Sequence, residues 1–146
     1  MILYLDTSSL VKLYVQEPGS QQVQKLVAKA ELVATSVVAY AEARAALARR
    51  RREGGLTPAE YRRARAALDA DWPRILTLEV SEPVARRAGD LAERERLRGF
   101  DALHLASYLT VAEEFPGEVV RFSAADKALT RAAARSTRRM PSRRGR

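Results

Sequence analysis

Met1-Ile2-Leu3-Tyr4-Leu5-Asp6-Thr7-Ser8-Ser9-Leu10-Val11-Lys12-Leu13 opens the chain with an apolar run that ends in an aspartate, three hydroxyls and a second apolar run. A short apolar run closed by polar residues fits a strand buried on both faces of a parallel sheet. Asp6 then stands at the carboxyl end of that strand, the edge where open α/β sheets place their ligands. Three more acids, Glu42, Asp101 and Asp126, occur at similar junctions or beside an apolar helix face. These four are read as converging on one metal ion.

Outward from that stretch the chain alternates strands with helices. Thr7 to about Val15 predicts a short helix broken by Glu17-Pro18-Gly19, and Ser20 is placed as the cap of a second helix through Ala30. Leu32–Thr35 reads as a strand ending in hydroxyls, followed by a helix from Val37 to Arg52 that Gly54-Gly55 stops. Thr57-Pro58-Ala59-Glu60 combines a cap, a first-turn proline and a returning glutamate, and starts a helix that ends before Trp72-Pro73. Ile75–Leu78, a helix capped by Ser81 through about Arg96, and a helix over 101–115 come next. Val119–Phe122 is the fourth strand, and a last helix begins beside Ser123 and ends near Arg135. This order predicts an α/β protein: a three-layer α/β/α sandwich with a mainly parallel central sheet. The division is a domain over 1–135 and a basic, disordered tail over 136–146.

Composition narrows the chemistry. The 146 residues suffice for one domain with a sizeable core, and the 47% hydrophobic and 30% charged content is ordinary for a globular protein. No window approaches a membrane span and no leader pattern opens the chain, so a cytoplasmic location and no membrane partner are expected. Zero cysteines and one histidine argue against zinc sites and Cys-His catalysis. The seven arginines of 131–146 account for all but one of the eight net positive charges, a distribution suited to phosphate backbones. Arg49 and Arg50, in a four-arginine cluster at a helix end, and Arg138 and Arg139 in the tail are the candidate nucleic-acid contacts.

Glu42 is the most telling acid. With Val38, Ala41, Ala45 and Ala48 read as the apolar stripe of its helix, a carboxylate falls on or beside the buried face and needs a partner. Asp6, Asp101 and Asp126 can each be a helix cap when taken singly. As a set on one sheet edge they would repel unless a divalent cation neutralised them, and an oxygen-only donor set favours Mg²⁺ or Mn²⁺. Such a centre suits phosphodiester hydrolysis without a side-chain nucleophile. Asp6 and Asp101 are taken as the primary metal ligands, with Glu42 and Asp126 acting directly or through water. Ser8 and Ser123 are supporting hydroxyls, and His104 is read as a packing or hydrogen-bonding residue.

Four fragments, Ile2–Lys12, Ala39-Tyr40-Ala41-Glu42, Asp101–Ala106 and Phe122–Leu129, together resemble the PIN-domain family of metal-dependent ribonucleases, specifically the VapC-type toxins of toxin–antitoxin pairs. The likeness covers residues 1 to about 132. It implies a Mg²⁺ site formed by Asp6, Glu42, Asp101 and Asp126, endonucleolytic cleavage of RNA, a homodimer, and inhibition by a small VapB-type antitoxin. Two other readings compete within the same frame, a PIN nuclease of RNA processing or decay and a catalytically silent RNA- or partner-binding module. A haloacid-dehalogenase phosphatase also opens with a strand and an aspartate, but its second aspartate is replaced here by Ser8.

Overall fold

The computed structural model describes residues 1–140 and makes the opening run into β1 (Ile2–Leu5), buried at every position. It pairs in parallel with β2 (Leu32–Ser36), Leu3 opposite Val33. Beyond β2 lies β3 (Leu76–Leu78), Thr35 opposite Thr77. On the other side of β1 runs β4 (Val120–Ser123), with Leu5 opposite Ser123. The sheet is therefore parallel throughout, in the order β3-β2-β1-β4. The chain winds outward from β1 through β2 to β3 and then returns to β1's other flank. That reversal creates a crevice at the carboxyl ends of β1 and β4, the switch point at which doubly wound sheets bind ligands.

Period-two alternation along β1 feeds two separate cores. Leu3 and Leu5 pack against α1 (Thr7–Val11), α2 (Ser20–Lys29), α3 (Val38–Arg52) and α4 (Pro58–Asp71) through Leu10, Val23, Leu47 and Leu68. Ile2 and Tyr4 pack against α5 (Glu82–Glu95), α6 (Gly99–Glu114) and α7 (Lys127–Arg138) through Leu91, Leu105 and Leu129. Each fully buried leucine contributes about 1.5–3 kcal/mol of apolar burial. The α/β/α layering expected from the alternation is the one observed. The capping box at Thr57 and Glu60 and the Ser81 cap also form as expected.

Several local expectations are corrected. α1 stops at Val11 because Leu13 and Tyr14 turn back with tight bonds to the Leu10 and Val11 carbonyls. Ser20 does not cap α2. Gly19 occupies that position at φ 93, a left-handed conformation suited to glycine, while the Ser20 hydroxyl donates to the Val15 carbonyl and accepts from the Glu17 amide. The buried face of α3 is Ala39, Ala43 and Leu47, rotated one residue from the stripe expected at Val38, Ala41, Ala45 and Ala48. Ala41 and Ala45 are exposed.

The last helix starts later than expected, at Lys127, with Asp126 as its cap, and runs on through Arg138 with Ser136 buried. The first residues assigned to the basic tail thus belong to this helix. The expectation of disorder beyond Met140 concerns residues 141–146, which lie outside the described residues. Among the described residues no helix is long and apolar enough to cross a membrane.

Candidate active site

β1 delivers Asp6 to the switch point as the N-cap of α1. Its Oδ1 accepts from the Ser9 amide at 2.9 Å and from the Ser8 hydroxyl at 2.7 Å. The Ser8 hydroxyl also accepts from the Ala125 amide at 3.0 Å, tying the β1 and β4 loops together. Asp6 is 5% exposed. Burial pushes its carboxyl above the ordinary range, the Ser8 and Ser9 bonds pull the other way, and Asp101 adds to the rise.

Glu42 reaches the same place from the middle of α3. Its Oε1 accepts from the Thr7 hydroxyl at 2.6 Å and lies 3.0 Å from His104 Nε2. Burial opposes its ionisation, but the His104 and Thr7 bonds prevail and hold its carboxyl below the ordinary range. The partner that a half-buried carboxylate requires is therefore His104 with Thr7. Arg44 turns instead to the Tyr40 hydroxyl at 2.8 Å.

Asp101 is the third residue of α6, not its cap; the cap position is Arg98, without a side-chain capping bond. Burial raises the Asp101 carboxyl, with Asp126 and Glu42 adding to the rise and His104 and Arg98 opposing it. Asp126 caps α7, its Oδ1 accepting from the Leu129 amide at 2.9 Å. The Ser123 hydroxyl pairs with Ser9 at 2.9 Å and makes no hydrogen bond to any of the four acids.

Asp6, Glu42 and Asp101 line a single cleft of about 830 Å³. Its rim is basic, with Lys12, Arg49, Arg50, Arg52 and Arg98. Lys12 and Arg50 are both anchored on Glu17, which accepts from Nζ at 2.9 Å and Nη2 at 2.8 Å. Asp126 does not line this cleft, although its charge is felt at Asp101. Arg138 and Arg139 also stand away from it, Arg139 reaching Glu95 at 3.5 Å. Of the arginines picked out in the sequence, only Arg49 and Arg50 meet the acids.

Among the described residues, no three Asp, Glu, His or Cys side chains gather closely enough to ligate one ion directly. The acids form an open set instead of a closed cage. Such a set fits Mg²⁺, which retains several waters and takes only one or two carboxylates. Burial in this cleft raises the carboxyls of Asp6 and Asp101, their acidic neighbours add to the rise, and a divalent cation would favour the ionised forms. Thr7, Lys12, Glu17 and Arg98 escaped the sequence reading, while His104 is the buried hydrogen-bonding residue it was read as. The available signals were that Thr7 follows Asp6 directly and that Arg98 and His104 flank Asp101 at three residues on either side.

A model of the family described as PIN domain matches residues 3–135. The ribonucleases VapC45 and VapC49 of two Mycobacterium tuberculosis strains are each 39% identical over 119 residues, covering 82% of this chain and 81% of theirs. The crystal structure of VapC20 of Mycobacterium tuberculosis, described as a sarcin-ricin loop cleaving toxin, aligns with a TM-score of 0.64 at 18% identity. That alignment covers 89% of this chain and 94% of VapC20, and shows the shared fold.

Proposed function

Because the chain belongs to the PIN-domain family and to its VapC ribonucleases, we propose that it is a metal-dependent endoribonuclease and the toxin of a VapBC-type pair. One observation supports the chemistry above the rest: a single cleft joins the carboxylates Asp6, Glu42 and Asp101 to a rim of arginines and Lys12. A polyanionic strand needs the rim, and a hard cation needs the carboxylates. Asp6 and Asp101 would hold Mg²⁺, or Mn²⁺ in its place, with Glu42 and Asp126 acting through its waters. When bound, the ion supplies an activated water and charge stabilisation on the phosphoryl oxygens.

The protein's own groups do the rest. Ser8 and the Ser9 amide orient Asp6 by occupying Oδ1. Arg49, Arg50 and Arg98 neutralise the phosphates of the entering strand and set its register without reading bases. A small VapB-type antitoxin and a second copy of the chain are the expected partners. Family membership supports both.

Incubating the purified protein with RNA and MgCl₂ or MnCl₂ tests the reading. Endonucleolytic fragments are expected, and EDTA stops their formation. Intact RNA under these conditions refutes the nuclease. Growth arrest on induced expression, relieved by co-expressing a short protein encoded upstream, is expected of a toxin, and unaffected growth refutes that part.

A further inference from the structure

His104, the chain's single histidine, lies inside the fold at 2% exposure and bridges two layers. Its Nδ1 is 3.0 Å from the Tyr4 hydroxyl in the central strand, and its Nε2 is 3.0 Å from both Thr7 Oγ1 and Glu42 Oε1. Proton placement gives these contacts a direction. Tyr4 is fully buried, and burial pushes its hydroxyl far above the ordinary phenol range, so it keeps its proton opposite Nδ1. The Thr7 hydroxyl spends its proton on Glu42 and a carboxylate oxygen only accepts, so the proton between His104 and Glu42 sits on Nε2. Together with Thr7 this saturates Oε1, while Oε2 makes no hydrogen bond to any described residue.

The arrangement answers a problem peculiar to Glu42. Asp6 and Asp126 sit at helix starts and are fixed by the free amides of Ser9 and Leu129. Glu42 lies mid-helix, where the amides are already bonded, and its longer side chain has three torsions to restrain. Only side-chain donors can hold it. A buried relay from Tyr4 is a costly way merely to fill a core, since an apolar residue would pack there without desolvating polar groups.

We propose that Tyr4 and His104 are positioning residues that lock Glu42 so that one oxygen, Oε2, is presented to the metal's hydration shell. The inference rests on the metal-dependent nuclease reading, and its test separates the two. Mn²⁺ affinity, read by electron paramagnetic resonance without RNA, is compared for the wild type, His104→Leu, His104→Gln, Tyr4→Phe and Glu42→Gln. His104→Leu is expected to weaken Mn²⁺ binding about tenfold, as lost outer-shell partners do. His104→Gln, which keeps an N–H donor, recovers part of it. The decisive measurement is His104→Leu in the Glu42→Gln background, where no further loss is expected because the two residues act as a unit.

Cleavage assays add a second readout: kcat falls about tenfold in His104→Leu while KM for RNA stays within about twofold. Tyr4→Phe removes one hydroxyl and keeps the ring, so it carries the test if His104→Leu fails to fold. Multiplying losses in the double variant overturn the proposal, as does wild-type Mn²⁺ affinity in His104→Leu or, should that variant not fold, in Tyr4→Phe. If the wild type binds Mn²⁺ but cuts no RNA, the nuclease reading falls and the affinity cycle still decides the positioning. A wild type that binds no Mn²⁺ overturns both.

Discussion

The amide of Asp6 donates to the carbonyl of Ser123 at 3.0 Å, extending the β1–β4 pairing into the loop where the acids begin. Asp6 is thereby held by the sheet through its backbone and by α1 through its side chain, at the point where strand order reverses. Glu42 comes from α3 after β2, Asp101 from α6, the second helix after β3, and Asp126 from the cap of α7 after β4. Each tethered acid also follows one pattern. Asp6, Glu42 and Asp126 give one oxygen to the scaffold, leaving the second without a hydrogen bond among the described residues.

Burial separates activity from stability at Asp6 and Asp101. Both carboxyls are raised by burial, so in the metal-free protein the ionised form is disfavoured by the fold and stability falls as pH rises above the usual carboxylate value. Asp6→Asn and Asp101→Asn remove that burden. Each variant is expected to lose cleavage of RNA and to melt no lower than the wild type at pH 7.5 without metal. Adding Mg²⁺ is expected to raise the melting temperature of the wild type but of neither variant, by calorimetry. Wild-type cleavage by either variant removes it from the metal site.

Ser8 serves two masters, donating to Asp6 and accepting from the Ala125 amide. Ser8→Ala leaves that amide without its partner and frees the Asp6 carboxylate to turn. A loss of about 1 kcal/mol in urea unfolding is expected, together with a several-fold drop in kcat. Ser123→Ala breaks a hydroxyl pair that makes no hydrogen bond to an acid side chain, and its kcat is expected to stay near that of the wild type. Equal drops in both variants would mean that the effect is general loosening of the loops.

The placement of the arginines yields a contrast in salt dependence. Arg50 lines the cleft and is braced by Glu17, whereas Arg139 leans on Glu95 away from it. Arg50→Gln is expected to weaken RNA binding and to reduce the slope of log K against log[salt] by about one contact, close to 0.7 for a single strand. Arg139→Gln is expected to leave the slope unchanged. A slope that moves only with Arg139 would relocate the RNA path to α7.

How much of this the sequence discloses depends on the range of each interaction. β1, the parallel layering, the Thr57 capping box and the junction acids are local or periodic signals, and each reads directly from neighbouring residues. The need for a partner at Glu42 was also legible, because a half-buried carboxylate demands one. The identity of that partner was not, since His104 is 62 positions away and meets Glu42 only through sheet topology. The stripe on α3 went astray for a related reason. Its alanines lie on several faces, so composition alone could not phase the helix, and Ala39, Ala43 and Leu47 were selected by packing into the core they share with α1 and α4. The early end assigned to the last helix reflects arginine-rich composition overruling a continuing apolar face that buries Ala132, Ala133 and Ser136.

Glu95, near that helix, gives a pH signature remote from the cleft. Its side chain is 4% exposed, covered by the guanidinium groups of Arg94, Arg135 and Arg139 at 3.2, 2.8 and 3.5 Å. The Arg135 bond is the main reason its carboxyl is held below the ordinary range. A depressed native value means that the unfolded chain binds the proton more readily, so stability from this group is complete above the usual carboxylate value and is lost as pH falls through the native one. The three arginines are each about half exposed to solvent, which limits the gain to about 1 kcal/mol despite the charged hydrogen bonds. Glu95→Gln is therefore expected to melt about 2–4 °C below the wild type at pH 7. The gap narrows as pH falls below 4.5, the ordinary value for the group, and closes below the native one. A constant gap across that range would assign the loss to packing instead of charge.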